Sequence, residues 1–272
     1  EVKTEEAFVK VFLEKLANVV LAFLALGCCA SFSYVANDIA DLDADRLHHN
    51  KRKRPFASAV ISIPSGFLLG IMLISVTAML ACFLPPAFVY ALLAYFIVTN
   101  IYTLRLKAVP ILDVAILAGL YALRVLAGGF AADVPASFWL LAFSCFIFFS
   151  LAIVKRVSEL MGIETPDEKA VVCRGYRTSD MPVLTGLGTS SALMAVLVMA
   201  LYINSPDVIQ LYASPRYLWL LCPIVALWLG RVWLITGRGQ MHEDPLLFAL
   251  HDRISWLLFG VAAMLLVIGA RF

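Results

Sequence analysis

The sequence predicts an all-α polytopic membrane protein with about eight transmembrane helices. Of its 272 residues, 62% are hydrophobic and only 15% are charged, and the mean hydropathy is +0.91. Soluble domains carry about 25% charged residues, so this composition cannot cover a water-facing surface. It excludes soluble, disordered and nucleic-acid-binding proteins. The length fits a single transmembrane domain over residues 1–272.

Eight apolar stretches are each long enough to cross a bilayer core, which takes about 20 residues per helix. They do not alternate apolar and polar residues as the strands of a β-barrel do, so they are predicted to be helices. Pro64 and Pro110 lie near predicted first turns, where a missing N–H is harmless, and Pro85-Pro86 predicts a tight turn. The predicted spans are 16–35, 64–84, 86–103, 110–130, 137–154, 183–203, 216–235 and 253–271.

The polar connections between these spans alternate between basic and nearly uncharged segments. Lys and Arg collect in cytoplasmic loops, so the basic connections should face the cytoplasm: 37–63, 102–109, 155–182 and 236–253. With eight spans, both ends of the chain would then face outward. Residue 1 is Glu rather than Met, and one more span upstream would restore a cytoplasmic beginning. We therefore expect this chain to lack its first helix.

The first basic connection begins with four aspartates within eight residues. At about 100° per residue, Asp38, Asp41 and Asp45 fall within about 60° of one another on a helix, whereas Asp43 points to the opposite face. Three carboxylates on one stripe repel one another unless a cation joins them, and hard oxygen ligands suit Mg²⁺, which bridges to substrate phosphates. Asn37 adds an amide oxygen beside this acidic ridge (Asp38, Asp41 and Asp45). The alternative is a solvated helix end outside the membrane.

A basic cluster at 48–54 follows the acidic ridge within a dozen residues. Membrane topology and attraction to anionic lipids explain most of it. Arg54 differs because Pro55 fixes the chain beside it. A guanidinium held there could neutralise a phosphate whose metal lies on the aspartates.

These residues resemble a known family. The pattern Asn37-Asp38-x-x-Asp41-x-x-x-Asp45, followed by Lys53-Arg54-Pro55, is similar to the first signature of the UbiA superfamily of intramembrane prenyltransferases. The run 34–58 resembles most the decaprenyl-phosphate phosphoribosyltransferase-like branch. The resemblance implies a bundle of nine helices around a central cavity, of which this chain has eight. Further stretches that fit the branch are 102–107, 123–129, 155–159, 174–176 and 238–245.

Candidate substrate-binding residues also lie around the middle spans. Tyr102 and Lys107 could clamp a phosphate in the second basic connection, although topology alone also explains the cation. Arg124 lies deep within a predicted span, where a charge is costly and usually faces a cavity or a partner. Asp113 lies nearer the end of the same span and could be interfacial. We expect Arg124 to line a cavity.

The longest polar connection supplies the remaining candidates. Lys155 and Glu159 are four residues apart and could simply pair on a helix; alternatively, Glu159 contacts a metal or a ribose. Further on, Asp244 before Pro245 most simply predicts a helix cap. The substrate-binding candidates of this connection are Lys155 and Arg156 for phosphate, Glu159, and Arg174 and Tyr176 as part of a lid.

The resemblance also implies a reaction. The aromatic prenyltransferase branch carries a second motif, Asp-x-x-x-Asp, where this chain reads Lys155-Arg-Val-Ser-Glu-Leu-Met-Gly162. This departure favours a polyprenyl-phosphate phosphoribosyltransferase-like enzyme with phosphoribosyl diphosphate as the donor. The alternative is an aromatic-acceptor polyprenyltransferase, whose donor is a polyprenyl diphosphate. Both lose diphosphate at a Mg²⁺ site, where metal and arginine stabilise the departing charge.

A transporter of ions or solutes is the remaining alternative. It is disfavoured because no paired halves are visible, and because the acids lie at a helix end rather than near the midplane. We expect an enzyme of the bacterial inner (plasma) membrane with its active site on the cytoplasmic side. Its partners would be membrane lipid, a polyprenyl lipid substrate and a diphosphate-bearing donor.

Overall fold

The computed structural model describes residues 2–47, 51–162, 175–206, 208, 212–241 and 244–271. Within these ranges the chain is all-α and contains no strand. Eight of the described helices are long and apolar enough to cross a membrane, as predicted. The helices are α1 (Val2–Ala40), α2 (Leu42–Leu47), α3 (Ile63–Ala81), α4 (Pro86–Leu104), α5 (Leu112–Ala132), α6 (Phe138–Met161), α7 (Met181–Ile203), α8 (Leu221–Gly237), α9 (Pro245–His251) and α10 (Arg253–Arg271).

Helix boundaries follow the local capping chemistry. Ser62 and Ser137 precede α3 and α6, and their hydroxyls accept hydrogen bonds from backbone N–H groups three residues on, at 3.3 and 3.1 Å. Such caps satisfy N–H groups that a helix leaves unpaired. Pro64 lies in the first turn of α3 and Pro86 begins α4, as expected. Pro110 instead lies in the turn before α5, next to Ile111 with a φ of 66°.

Helix α1 is much longer than the predicted span 16–35. It has 39 residues, of which the apolar part Val9–Ala40 has 32. At 1.5 Å per residue this part alone is about 48 Å long, more than the roughly 30 Å of a bilayer core. The prediction was too short because it counted only apolar residues, whereas no proline interrupts the chain from 2 to 40. The helix therefore continues through the polar residues on both sides of the predicted span.

The chain forms two compact units. Unit 1 comprises 1–107 and 123–136, and unit 2 comprises 108–122 and 137–272. In unit 1, α1 packs along α3 and α4. In unit 2, α6 packs along α7, and α8 contacts α6, α7 and α10. Helix α5 contributes its first half to unit 2 and its second half to unit 1.

Both α1 and α3 bury small residues in unit 1. Ala22, Ala25 and Cys29 of α1 are at most 2% exposed, and Gly66 and Gly70 of α3 are buried. Membrane helices approach each other through such small residues, because lipid supplies no hydrophobic drive for larger ones.

Unit 2 has a denser core around α6, α7 and α8. Ile153, Leu184 and Val232 are at most 1% exposed. Two tryptophans of α8 bury their rings in this core and satisfy their indole N–H groups. Trp233 donates to Ser150 Oγ and Trp228 donates to Ser255 Oγ, both at 3.0 Å. These bonds fix α8 against α6 and α10.

Candidate active site

The acidic ridge lies where α1 passes into α2. Helix α1 ends at Ala40, but the N–H of Asp41 donates to the Asn37 carbonyl and that of Asp45 to the Asp41 carbonyl, both at 2.8 Å. The helical hydrogen-bond spacing therefore continues through the turn. The Asp45 side chain is 4% exposed, whereas that of Asp43 is 99% exposed. Asp43 thus points away from the ridge, in agreement with the expected alignment.

Arg54 joins two carboxylates of the ridge. Its Nη1 atom donates to Asp38 Oδ1 at 3.0 Å and to Asp45 Oδ2 at 2.7 Å. Two carboxylate oxygens, seven residues apart in sequence, thus converge on a single cationic nitrogen. Charge-assisted hydrogen bonds of this kind are stronger than neutral ones.

The loop before α3 explains how Arg54 reaches the ridge. Phe56 is 6% exposed, and its ring lies over Gly66, where an added Cβ would come within 2.5 Å of Phe56 Cε1. The Ser58 N–H donates to the Arg54 carbonyl at 2.9 Å and closes the turn. Only a glycine on α3 leaves room for this ring, so Phe56 anchors the loop that carries Arg54.

Lys107 neutralises the remaining ridge carboxylate. It lies in a 3-10 turn after α4, and its Nζ donates to Asp41 Oδ2 at 2.7 Å and to Asn37 Oδ1 at 3.2 Å. Tyr102, in the last turn of α4, is 9% exposed. The contacts of unit 1 bring together six predicted residues: Asn37, Asp38, Asp41, Asp45, Arg54 and Lys107.

The donor chemistry of the ridge fits a divalent cation. Among the described residues, no three His, Cys, Asp or Glu side chains are grouped closely enough to form a metal cage. Arg54 instead holds Asp38 and Asp45, and Lys107 holds Asp41. Mg²⁺ does not need such a cage, because it keeps several waters and takes one or two carboxylates together with substrate phosphates. Asp38 and Asp45 already direct their oxygens at one positive charge. The pair therefore suits an ion that replaces the guanidinium.

Arg124 has an aromatic partner in unit 1. It donates a hydrogen bond from Nη2 to the hydroxyl of Tyr95 on α4, and its Cζ lies 5.0 Å from the centre of the Tyr95 ring. A guanidinium over a ring face is stabilised by the ring quadrupole. This contact accounts for the charge within a span, and substrate contact by Arg124 stays a prediction.

A buried ion pair organises the polar residues of unit 2. Asp113, in the first turn of α5, is fully buried. Its Oδ2 accepts from Arg156 Nε at 2.7 Å and its Oδ1 accepts from the Tyr176 hydroxyl. The Tyr176 oxygen in turn accepts from the Ile111 N–H at 2.7 Å. Arg156 also pairs with Glu159, whose side chain is 39% exposed.

The environment of Tyr176 keeps its phenol neutral. Burial, followed by the hydrogen bond to Asp113, raises the pKa of Tyr176 well above its usual value. The neutral hydroxyl can therefore act as donor and acceptor at once across the physiological pH range. Arg156 and Tyr176 were predicted to contact substrate; the structure shows both engaged with Asp113.

Lys155 pairs with a residue from the last basic connection. Its Nζ donates to Asp244 Oδ2 at 2.6 Å, while Glu159 pairs with Arg156. The alternative of a Lys155–Glu159 pair is therefore wrong. Asp244 Oδ1 also accepts from the Leu246 N–H at 3.0 Å, which confirms the predicted cap on α9.

The predicted lid residue Arg174 falls outside the described residues.

Two ion pairs of unit 2 were not predicted from the sequence. The bidentate pair of Arg231 on α8 with Asp252, at 2.6 and 3.0 Å, was missed. Arg231 lies within the span 216–235, so the rule that singled out Arg124 would have found it as well. The Asp113–Arg156 pair was missed because its members are 43 residues apart.

The fold and the site define a polytopic helical membrane protein with a cation-paired acidic ridge at helix ends. The chain belongs to the UbiA prenyltransferase family, whose model matches residues 11–259. It is therefore an integral membrane protein of a transferase family, which confirms the resemblance described above.

Several curated relatives resemble most of the chain. "Uncharacterized protein y4nM" of Sinorhizobium fredii is 35% identical over 94% of this chain and 51% of its own length. "Nodulation protein NoeC" of Azorhizobium caulinodans is 33% identical over 86% of this chain and 76% of its own. Decaprenyl-phosphate phosphoribosyltransferase of Mycolicibacterium smegmatis is 28% identical over 91% and 79%. The chain thus spans about half the length of the first of these relatives.

A solved structure has the same fold. The UbiA homologue from Archaeoglobus fulgidus bound to DMAPP and Mg²⁺ matches with a TM-score of 0.68. The match covers 93% of this chain and 86% of that protein at 19% identity. The agreement confirms the all-α membrane bundle.

Proposed function

We propose that this protein transfers a group to or from a polyprenyl phosphate or diphosphate with loss of diphosphate, and that it is polyprenyl-phosphate phosphoribosyltransferase-like. The observation that carries the proposal is the convergence of Asp38 and Asp45 on one cationic nitrogen of Arg54. A ridge of acids with partly exposed cations beside it can exchange its internal partners for a metal and a diphosphate. Its place at a helix end gives access both to water-soluble donors and to lipid.

Asp38, Asp41 and Asp45 would hold Mg²⁺, and the oxygen of Asn37 lies beside them. Bound there, Mg²⁺ would neutralise charge on the diphosphate and favour its departure. The Mg²⁺ present with DMAPP in the archaeal relative supports this assignment. In this chain the carboxylates of Asp38 and Asp45 already point at one positive charge, the Arg54 guanidinium. A metal ion bound in its place would require little rearrangement of the two acids.

Arg54 and Lys107 would bind the diphosphate once they leave the carboxylates. Both reach the ridge from loops, and their side chains are 37% and 21% exposed. A guanidinium can hold two phosphate oxygens at once, and an ammonium adds a compact point charge. They would stabilise the negative charge that grows on the leaving group. Tyr102 would complete this side of the site, and Arg124 would line the cavity for the lipid chain.

The sequence also makes polar residues of unit 2 candidates for donor contact, and these are considered by themselves. Glu159 carries the exposed carboxylate of this group and suits a metal or the hydroxyls of a ribose. Lys155 is 40% exposed and could exchange Asp244 for a phosphate. The remaining candidates are Arg156, Arg174 and Tyr176.

The favoured donor is phosphoribosyl diphosphate and the favoured acceptor is a polyprenyl phosphate. A phosphate oxygen of the acceptor would form a bond to the anomeric carbon while the bond from that carbon to the diphosphate breaks with its electron pair. Two observations support this choice over an aromatic acceptor: the absence of a second Asp-x-x-x-Asp motif at 155–162, and relatives named decaprenyl-phosphate phosphoribosyltransferase at 26–30% identity. The site would face the cytoplasm of the bacterial inner membrane.

Product analysis tests this proposal. The full-length protein, in lipid nanodiscs with Mg²⁺, is incubated either with phosphoribosyl diphosphate and a polyprenyl phosphate, or with geranyl diphosphate and 4-hydroxybenzoate. We expect a phosphoribosylated lipid in the first reaction, identified by mass spectrometry. A prenylated aromatic product would favour the alternative enzyme. No product in either reaction, together with solute flux into liposomes, would favour a transporter.

A further inference from the structure

Asp113 is the most deeply buried acid among the described residues of unit 2, and the proposed chemistry gives it no role. Its side chain is fully buried and accepts from Arg156 at 2.7 Å and from the Tyr176 hydroxyl. A buried carboxylate is costly unless it is paired and hydrogen-bonded. Here both oxygens are satisfied, so the carboxylate holds two side chains from distant parts of the sequence in fixed positions.

The backbone around Asp113 has a positive φ at Ile111 and at Gly175, which strains the isoleucine but not the glycine. Ile111 has a φ of 66° although it is β-branched, and its N–H donates to the Tyr176 oxygen. Gly175 has a φ of 71°, and an added Cβ there would come within 2.8 Å of the Ala108 carbonyl oxygen. Strain of the kind seen at Ile111 persists only where the surrounding contacts enforce it, and it collects at functional sites. The segments 108–113 and 175–176 are thus held together closely.

Arg156 connects this buried anchor to the surface. Its side chain is 2% exposed, whereas its second carboxylate partner, Glu159, is 39% exposed. Asp113 balances the positive charge of Arg156. Arg156 can therefore hold the Glu159 side chain in place without cancelling the negative charge of its carboxylate. Without Asp113, Arg156 would draw more of its compensating charge from Glu159.

We propose that Asp113 is a positioning residue, which acts through Arg156 to fix the orientation and the charge of Glu159 at the donor site. This inference rests on the proposed function, because it needs Glu159 to contact the donor. Asp113 itself would touch neither substrate nor metal. Tyr176 would support it by holding the second oxygen of the carboxylate.

The test is a double-mutant cycle on donor binding. Affinities for phosphoribosyl diphosphate and, in parallel, for geranyl diphosphate are measured by calorimetry in Mg²⁺ with the full-length protein in nanodiscs. Asp113→Asn and Glu159→Gln should each weaken binding of the donor by about tenfold, and the double variant should bind no more weakly than Glu159→Gln alone, because coupled residues are not additive. Losses that multiply in the double variant would overturn the proposal.

Two further variants keep the cycle decisive. Asp252→Asn removes another paired acid of unit 2 and should lower stability without changing donor affinity, so general damage is recognised. Should Asp113→Asn fail to fold, Tyr176→Phe removes one hydrogen bond to Asp113. It should weaken binding of the diphosphate donor several-fold, again only while Glu159 is present.

The two proposals fail in different ways. A wild-type protein that binds neither diphosphate donor would refute the proposed function and this inference together. Binding by the wild type with multiplicative losses would refute only the inference.

Discussion

At the scale of single residues, the acidic ridge is notable for its internal cations. Arg54 takes Asp38 and Asp45, and Lys107 takes Asp41, so each acid has a positive partner before any ligand arrives. Carboxylates this close repel one another, and the two cations remove that repulsion. The same cations must leave the acids when a metal binds. They then become available for the diphosphate.

This exchange predicts opposite effects of one substitution on two ligands. Arg54→Gln should raise the affinity for Mn²⁺ alone by up to about tenfold, since removing a competing charged hydrogen bond is worth about 1.5 kcal/mol at this half-exposed position. It should weaken binding of the metal–diphosphate complex. Mn²⁺ binding is measured by electron paramagnetic resonance, with and without pyrophosphate. The exposed Arg52→Gln is the control and should change neither affinity; equal losses of both ligands in Arg54→Gln would contradict the exchange.

Two neighbouring aspartates provide a matched pair for catalysis. Asp41→Asn should abolish turnover because it removes a ridge carboxylate that faces Lys107. Asp43→Asn should leave turnover unchanged because that side chain is 99% exposed on the opposite face. Both are scored by product formation per folded protein, with folding checked by size-exclusion chromatography. Equal activity of the two variants would remove Asp41 from the site.

At the scale of helices and loops, the position of Arg54 depends on the packing of its loop against α3. The Phe56 ring occupies space that only a glycine at position 66 leaves open. The motif Lys53-Arg54-Pro55 identified Arg54 from sequence, but its anchor could not be predicted, because Phe56 reads as one more apolar residue. The full length of α1 was not predicted for a similar reason. Hydrophobic composition indicates where an apolar run lies but not where the helix that contains it ends.

Two glycines of α3 test this dependence. Gly66→Ala should push the Phe56 ring aside and weaken donor binding several-fold. Gly70→Ala should not, because its added Cβ would lie 3.6 Å from the Phe32 ring, an ordinary contact. Both substitutions gain similar helix propensity, so the pair isolates the effect of the ring. Donor affinity is measured by calorimetry; unchanged affinity in Gly66→Ala would show that Phe56 does not position Arg54.

At the scale of the whole molecule, the eight spans were predictable because long apolar runs are a strong signal. The pairing of side chains that are distant in sequence was not predictable. Lys155 and Asp244 lie 89 residues apart, and Arg156 and Asp113 lie 43 apart. No local pattern encodes such partners. The acidic ridge was predictable because its residues follow one another at helical spacing.

The alternation of basic and uncharged connections predicts the topology. In a background without native cysteines, a cysteine at position 134, between α5 and α6, should react with an impermeant maleimide added to intact cells. A cysteine replacing Arg52, in the first basic connection, should react only after the membrane is opened. Both positions are exposed, so access alone does not distinguish them. The reverse labelling pattern would contradict a cytoplasmic site.

The most direct measurement is a structure of the full-length protein with Mn²⁺ and pyrophosphate, in which the metal is located by its anomalous scattering. We predict Mn²⁺ bonded to carboxylate oxygens of the acidic ridge (Asp38, Asp41 and Asp45) and to the pyrophosphate, with Arg54 turned from the acids to the phosphate oxygens. A structure in which Arg54 still bridges Asp38 and Asp45, with metal and pyrophosphate bound elsewhere, would contradict the proposed site.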